Sequence, residues 1–156
     1  MQLDHHPDPS KSRGQYLPLL ELAVREEPDN DRDRHYLGRE YMFRGEWERA
    51  VAEAPYLREP YLEFADLLYA QKNWYGVIFM VNRALTITER PRTYICEPFA
   101  WGSYPYDLLS LALDHIGQAQ QALSCAEKAL SLAPQDRRLQ KNCALLRVKL
   151  QEESRI

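Results

Sequence analysis

Four histidines, three cysteines and 23 acidic residues are the groups of this 156-residue chain that could hold a metal or assist a reaction. Their spacing is poor for either. His5 and His6 are adjacent, and a metal site needs at least three converging ligands, so the pair reads as solvated. The metal-binding pattern Asp-x-Asp occurs twice by letter, as Asp29-Asn30-Asp31 and Asp31-Arg32-Asp33. Both copies follow Pro28 in a polar turn, where aspartates are expected to cap the next helix. His35 and His115 each stand near acids, but no serine or cysteine nucleophile sits in a recognisable turn context. Cys96, Cys125 and Cys143 lack metal-type or redox-type spacing, and Cys125 and Cys143 fall where a helix needs small apolar filler. The six glycines are scattered singly, so no phosphate-cradling loop exists. These groups predict neither an active site nor a bound cofactor.

A formal charge of −3 gives no electrostatic reason to expect nucleic acid as a partner. No apolar run approaches the roughly 18–20 residues that cross a bilayer. The start of the chain lacks the basic-then-apolar pattern of a secretory signal, and the odd cysteine count suits a reducing, cytoplasmic setting.

What the sequence does carry is a repeat. Counting Ser103 to Asp136 as one 34-residue unit places Tyr106, Leu109, Ser110 and Leu113 at positions 4, 7, 8 and 11. Gly117 is then 15, Ala122, Ala126 and Ala129 are 20, 24 and 27, and Pro134 is 32. Those are the apolar, small, turn and breaker positions of a tetratricopeptide hairpin. Positions 8 and 20 must both be small because two helices cross there. A looser copy runs 58–91, with Tyr61, Phe64, Ala65 and Leu68 on its first helix and Val77, Val81 and Ala84 on its second. Lys72-Asn73 replaces its turn glycine. Another copy runs 31–57, with Leu37, Gly38, Tyr41, Gly45 and Ala50 in register. Residues 15–26 read as the second helix of an incomplete unit, and 136–152 as a capping helix with a charged outer face. The expected fold is all-α, a right-handed solenoid of antiparallel helix hairpins. A flexible lead-in is expected over 1–14 and a tail over 153–156. Helices are expected near 15–26, 33–44, 46–53, 59–71, 74–87, 105–116, 119–132 and 136–152. Tyr16, Tyr41, Trp47, Tyr61, Phe64 and Trp74 sit at helix-periodic positions and are expected in the core.

Two places break the period. In Gly45 to Pro55, Ala50 serves as positions 20 and 27 together, so two helical turns are missing. A shortened helix and a deleted stretch fit the same arithmetic. Between the last two units, about 11 residues from Arg92 to Gly102 are inserted, dense in aromatics.

Beyond its repeats, the opening His5-His6-Pro7-Asp8-Pro9-Ser10-Lys11-Ser12-Arg13-Gly14-Gln15-Tyr16-Leu17-Pro18-Leu19-Leu20 resembles a segment of certain bacterial family-2 glycosyltransferases. It is the stretch that follows the catalytic domain in members with C-terminal tetratricopeptide repeats. Tyr36 to Phe43, Glu89 to Ile95 and Glu97-Pro98-Phe99 resemble later stretches of the same proteins. The resemblance implies a repeat module whose sugar-transfer chemistry resides in an upstream α/β domain that this chain does not contain. It implies one further helical unit in the family where Ala50 meets Val51. It also makes His5 or His6 a metal ligand only alongside that domain.

First helices of stacked hairpins line a groove. Positions 2, 5, 9, 12 and 13 give Arg32, His35, Arg39, Met42 and Phe43, then Glu59, Leu62, Asp66, Tyr69 and Ala70. The third unit adds Tyr104, Asp107, Leu111, Asp114 and His115. The inserted loop adds Tyr94, Phe99 and Trp101. Tyr94 and Phe99 are expected to fold back onto the helices, leaving Trp101 exposed as an anchor. The expected partner is a protein or peptide, a transferase catalytic domain, or a second copy.

Overall fold

The computed structural model of the chain describes residues 16–91 and 96–155. The described residues are helical, without strands, and divide into two compact units, 1–54 and 55–156.

The first unit holds α1 (Tyr16–Glu26), α2 (Asp31–Phe43) and α3 (Trp47–Glu53). Its core is Leu37, Tyr41, Met42 and Ala50, with Leu17, Leu20, Val24 and Trp47 packed against it. At the α2–α3 crossing, a methyl group on Gly38 would stand 3.3 Å from the Ala50 carbonyl and 3.5 Å from the Ala54 side chain. A side chain there would press on the Ala50 carbonyl, so glycine suits this close crossing. At the irregular stretch around Ala50, α3 has seven residues against fourteen in α7. α1, α2 and α3 are joined by one polar knot. The Tyr41 hydroxyl donates to Glu21 Oε1 at 2.8 Å, and Arg49 Nη2 donates to both Glu21 and the Tyr41 oxygen. Burial and the Glu21 carboxylate push the Tyr41 phenol up to about 12.

The second unit holds α4 (Arg58–Ala70), α5 (Trp74–Leu85), a 3-10 helix (Pro98–Trp101), α6 (Tyr104–His115), α7 (Ala119–Leu132) and α8 (Arg137–Glu153). Prolines stand in the first turns of α4 and α6, where no intrahelical N–H is needed. Small residues again meet at the crossings: Ala65 and Val77 are fully enclosed, and the buried Ser110 donates to the Ala122 carbonyl at 2.8 Å.

Each hairpin turn is built the same way. In the last, Gly117 N–H donates to Asp114 and Gln118 N–H to Leu113, the paired bonds of a Schellman ending. Gly45 and Glu46 repeat them onto Met42 and Tyr41, and Lys72 and Asn73 onto Tyr69 and Leu68. The residue at the bend is left-handed in all three, with φ of 75° at Gly45, 79° at Gly117 and 58° at Lys72. Lys72 therefore adopts the glycine conformation. Asn73 compensates by capping α5, accepting from Gly76 N–H at 3.0 Å.

Sequence-expected helices and observed ones agree within about two residues. α8 is capped by Asp136, which accepts from the Arg138 and Leu139 N–H groups. The expectation of an aspartate cap after Pro28 is corrected. The cap is Asn30, and Asp31 and Asp33 lie in the first turn, where their charges face the positive end of the helix. Cys143 is buried as expected, and Cys125 only half so.

Candidate binding surfaces

In the first unit, α2 places two cation–aromatic pairs two turns apart. The Arg32 guanidinium lies 5.8 Å from the Tyr36 ring centroid, and Arg39 5.8 Å from that of Phe43. Spacing of four residues on a helix produces both. Phe43 is 61% exposed. Together with Tyr16, Leu20, Tyr36 and Glu40, Arg39 and Phe43 line an open, mainly apolar cleft of about 330 Å³ between α1 and α2. Met42 is buried in the core rather than in a groove.

His35, also expected on the groove, is buried, edge-on to Tyr36, and its Nε2 has no hydrogen-bond partner. A neutral ring is what such a site tolerates. Burial first, and then the positive charge of Arg39, lower its pKa to about 4. In the unfolded chain the ring titrates near about 6.5. As pH falls from 6.5 to 4, the unfolded chain takes up the proton and the folded one does not, so stability is lost in that window. We expect the wild type to lose roughly 2 kcal/mol more than His35→Gln between pH 7 and 4.5. Urea midpoints at the two pH values measure it, and equal losses would show that His35 is solvated.

In the second unit the acidic groove positions are engaged by neighbouring first helices. Asp66 on α4 accepts a short hydrogen bond from the Tyr104 hydroxyl on α6. Burial, with Asp66 behind it, raises that phenol well above its ordinary value. Asp107, which is buried, pairs with Arg138 of α8 at 2.8 Å, and Asp114 pairs with Lys149 at 2.6 Å. His115 is stacked on Trp74, centroids 3.9 Å apart and planes 4° from parallel, and Tyr69 stands edge-on to both. Leu62 is fully enclosed and Glu59 is buried, whereas Ala70 is exposed and Leu111 half-buried. Adjacent helices fill much of these first-helix faces, which the sequence could not show.

The inserted segment reverses one expectation. Phe99 is 36% exposed, edge-on to Tyr104, and Trp101 is the inward residue. Its indole lies under the Arg58 guanidinium at 3.9 Å, and its buried Nε1 has no hydrogen-bond partner. The cause is Arg58, itself buried at the start of α4. It donates to the carbonyls of Ile87 (2.9 Å) and Ala100 (3.2 Å), and the indole face supplies the remaining compensation for its charge. Burial lowers the guanidinium pKa. Glu59 Oε1 accepts the Glu97 N–H at 2.8 Å, fastening the near end of the same 3-10 helix. Sequence reasoning gave Arg58 no role. A charged pair of residues at the first turn of a helix otherwise rich in apolar residues was the available signal. Tyr94, His5 and His6 lie outside the described residues.

Tyr41 and Tyr61 are core residues and Trp47, Phe64 and Trp74 are half-buried, but Tyr16 is 56% exposed, contrary to expectation. No first helix stands in front of it among the described residues. No group of three metal-binding side chains occurs among the described residues, and none of their helices is long and apolar enough to cross a membrane.

The hairpins define a tetratricopeptide-like helical repeat protein. Solved structures agree. A crystal structure of MamA is similar over 91% of this chain and 84% of its own, with a TM-score of 0.57 at 19% identity. A second, of MamA protein, covers 83% of this chain and 69% of its own, with a TM-score of 0.56 at 19% identity. A double mutant, MamA RS-1 ArsTM, covers 90% and 77%, with a TM-score of 0.59 at 16% identity. At such identities the likeness is one of fold. No protein-family model and no curated protein matches the chain.

Proposed function

We propose that this chain is a non-catalytic interaction scaffold that docks a protein through the α1–α2 cleft. The observation that carries this reading is Phe43, 61% exposed at the rim of an apolar cleft and flanked by Arg39. Aromatic and arginine side chains at such rims are the usual anchors of protein interfaces. Arg32 extends the same row, while His35 is buried on the same helix. The acidic residues Asp66, Asp107 and Asp114 bind Tyr104, Arg138 and Lys149, which suits them to holding helices together rather than gripping a ligand.

A second reading rests on the resemblance of the opening segment and of Tyr36 to Phe43 to family-2 glycosyltransferases. In it, the docked protein is a nucleotide-sugar-using catalytic domain, present upstream or as a separate chain. A photo-reactive amino acid in place of Phe43 tests both in living cells. It is expected to form a protein adduct that Arg39→Glu abolishes, while the same group in place of Lys72 traps nothing. A transferase domain in the adduct supports the second reading. The absence of any adduct at position 43 overturns the docking proposal.

A further inference from the structure

The outward row of α5 differs from its counterparts in the other hairpins. α5 buries Val77, Val81 and Ala84 and leaves Tyr75, Phe79, Asn82, Arg83 and Thr86 exposed on the opposite side. Tyr75 is 73% exposed and Phe79, one turn later, 61%. In the repeat register, Gln120, Ser124 and Lys128 of α7 take the places of Tyr75, Phe79 and Arg83. Glu48 and Ala52 of α3 take the places of the two rings, and all five counterparts are exposed. The fold therefore asks only for small or polar side chains there. Two large rings side by side in water mark a surface meant to be covered.

The charge of the row is equally distinct. α5 carries no acidic residue, and Arg83 is its one charged group. Lys128, at the same repeat place on α7, lies 5.9 Å from the Tyr106 ring centroid. Arg83 makes no ion pair or ring contact among the described residues. An anionic lipid surface is recognised by clusters of about four to eight basic residues, and this row has one.

Tyr75, Phe79 and Arg83 are spaced by four, so they form one line along the helix, each about 6 Å from the next. Such a line is its own complement. With two α5 helices laid antiparallel and Phe79 on the two-fold axis, Tyr75 of each copy faces Arg83 of the other, and Gly76 faces Asn82. The two arginines then stand about 12 Å apart along the helix direction, on opposite sides of the crossing. A parallel pair would instead oppose Arg83 to Arg83. Cation over ring is a pairing the chain already makes within itself, between Arg39 and Phe43 and between Arg49 and Tyr41. Helices packed at an angle diverge away from their crossing, which leaves Lys72, in the turn before α5, outside the contact.

We infer that the outward face of α5 is a homodimer interface, in which two copies of this chain pair antiparallel about Phe79 and exchange Tyr75–Arg83 contacts. The inference does not depend on the α1–α2 docking reading. An isologous contact of this kind closes at two copies, so the dimer presents every other binding surface of the scaffold twice.

Sedimentation velocity on the full 156-residue chain tests it. The wild type is expected to pass from monomer to dimer, and no further, between roughly 1 and 500 μM, a range suited to a contact of modest size. Phe79→Asp sets two carboxylates face to face on the axis and is expected to stay monomeric. Ser124→Asp, at the same repeat place on α7, is expected to dimerise like the wild type. These sites are exposed, so circular dichroism should show unchanged helicity and melting. Tyr75→Arg opposes two arginines, and Arg83→Glu sets a carboxylate over the ring, so each alone is expected to weaken the dimer about tenfold or more. Mixed in equal amounts, the two are expected to recover it. The introduced arginine then faces the introduced glutamate, while native Arg83 of one chain still faces native Tyr75 of the other. Three results overturn the inference: a wild type that stays monomeric throughout, a Phe79→Asp variant that still dimerises, or a mixture that associates no better than its parts. A monomeric wild type in which a photo-reactive residue at position 79 traps a different protein overturns self-pairing and gives the face to that protein.

Discussion

Trp101→Ala is expected to destabilise the fold by about 3 kcal/mol, the lower end for a large aromatic because the residue is half-buried. Phe99→Ala, two residues away, should cost less than about 1 kcal/mol, in keeping with a side chain at the surface. The asymmetry follows from Arg58. Its guanidinium is held by two carbonyls and the indole face, and removing the indole leaves a buried cation with an empty space on one side. The 3-10 helix that carries both aromatics then keeps the Arg58 bond to Ala100 and the Glu59 bond to the Glu97 N–H, but loses the packing of the indole. Chemical denaturation of the two variants measures the difference. A larger loss for Phe99→Ala than for Trp101→Ala would restore the reading in which Trp101 faces solvent as a binding anchor.

Leu62→Ala carries the other large effect, about 3 kcal/mol. Leu62 stands at a repeat position that faces the groove in a regular solenoid, and a groove residue could be truncated at little cost. Here it is fully enclosed, among the largest side chains with no exposed surface. Its methyl groups leave a cavity that the surrounding helices cannot close. Asp66→Asn, one turn along α4, keeps an acceptor for the Tyr104 hydroxyl and is expected to cost about 1 kcal/mol or less. Midpoints in urea at constant slope separate the two. Similar small losses for both would place Leu62 on an open groove.

The sequence by itself determined the helices, their ends and the identity of the repeat. The reasons are local. Ser110 with Ala122, and Gly38 with Ala50, are small because backbones cross there, and Pro134 ends a helix wherever the chain goes next. Gly45 and Gly117 announce left-handed bends. Lys72 does not, although it adopts the same geometry, because the surrounding Schellman bonds impose what its side chain disfavours. The aromatic insertion was visible as an insertion, but its inward residue was not. That choice belonged to Arg58, some forty residues earlier, whose buried charge drew the indole over it.

The groove shows the same division. Periodicity placed His35, Asp107, Asp114 and His115 on the first-helix faces. It carried no information on what each would meet. Arg138 and Lys149 come from a helix that follows in sequence but lies alongside in space, and Trp74, at the start of α5, stacks on His115, at the end of α6. Only tertiary packing decides which polar side chains are paired between helices and which remain at the surface. Helix ends and crossings are set by contacts within a few residues. The surface left over for binding depends on every long-range contact made first.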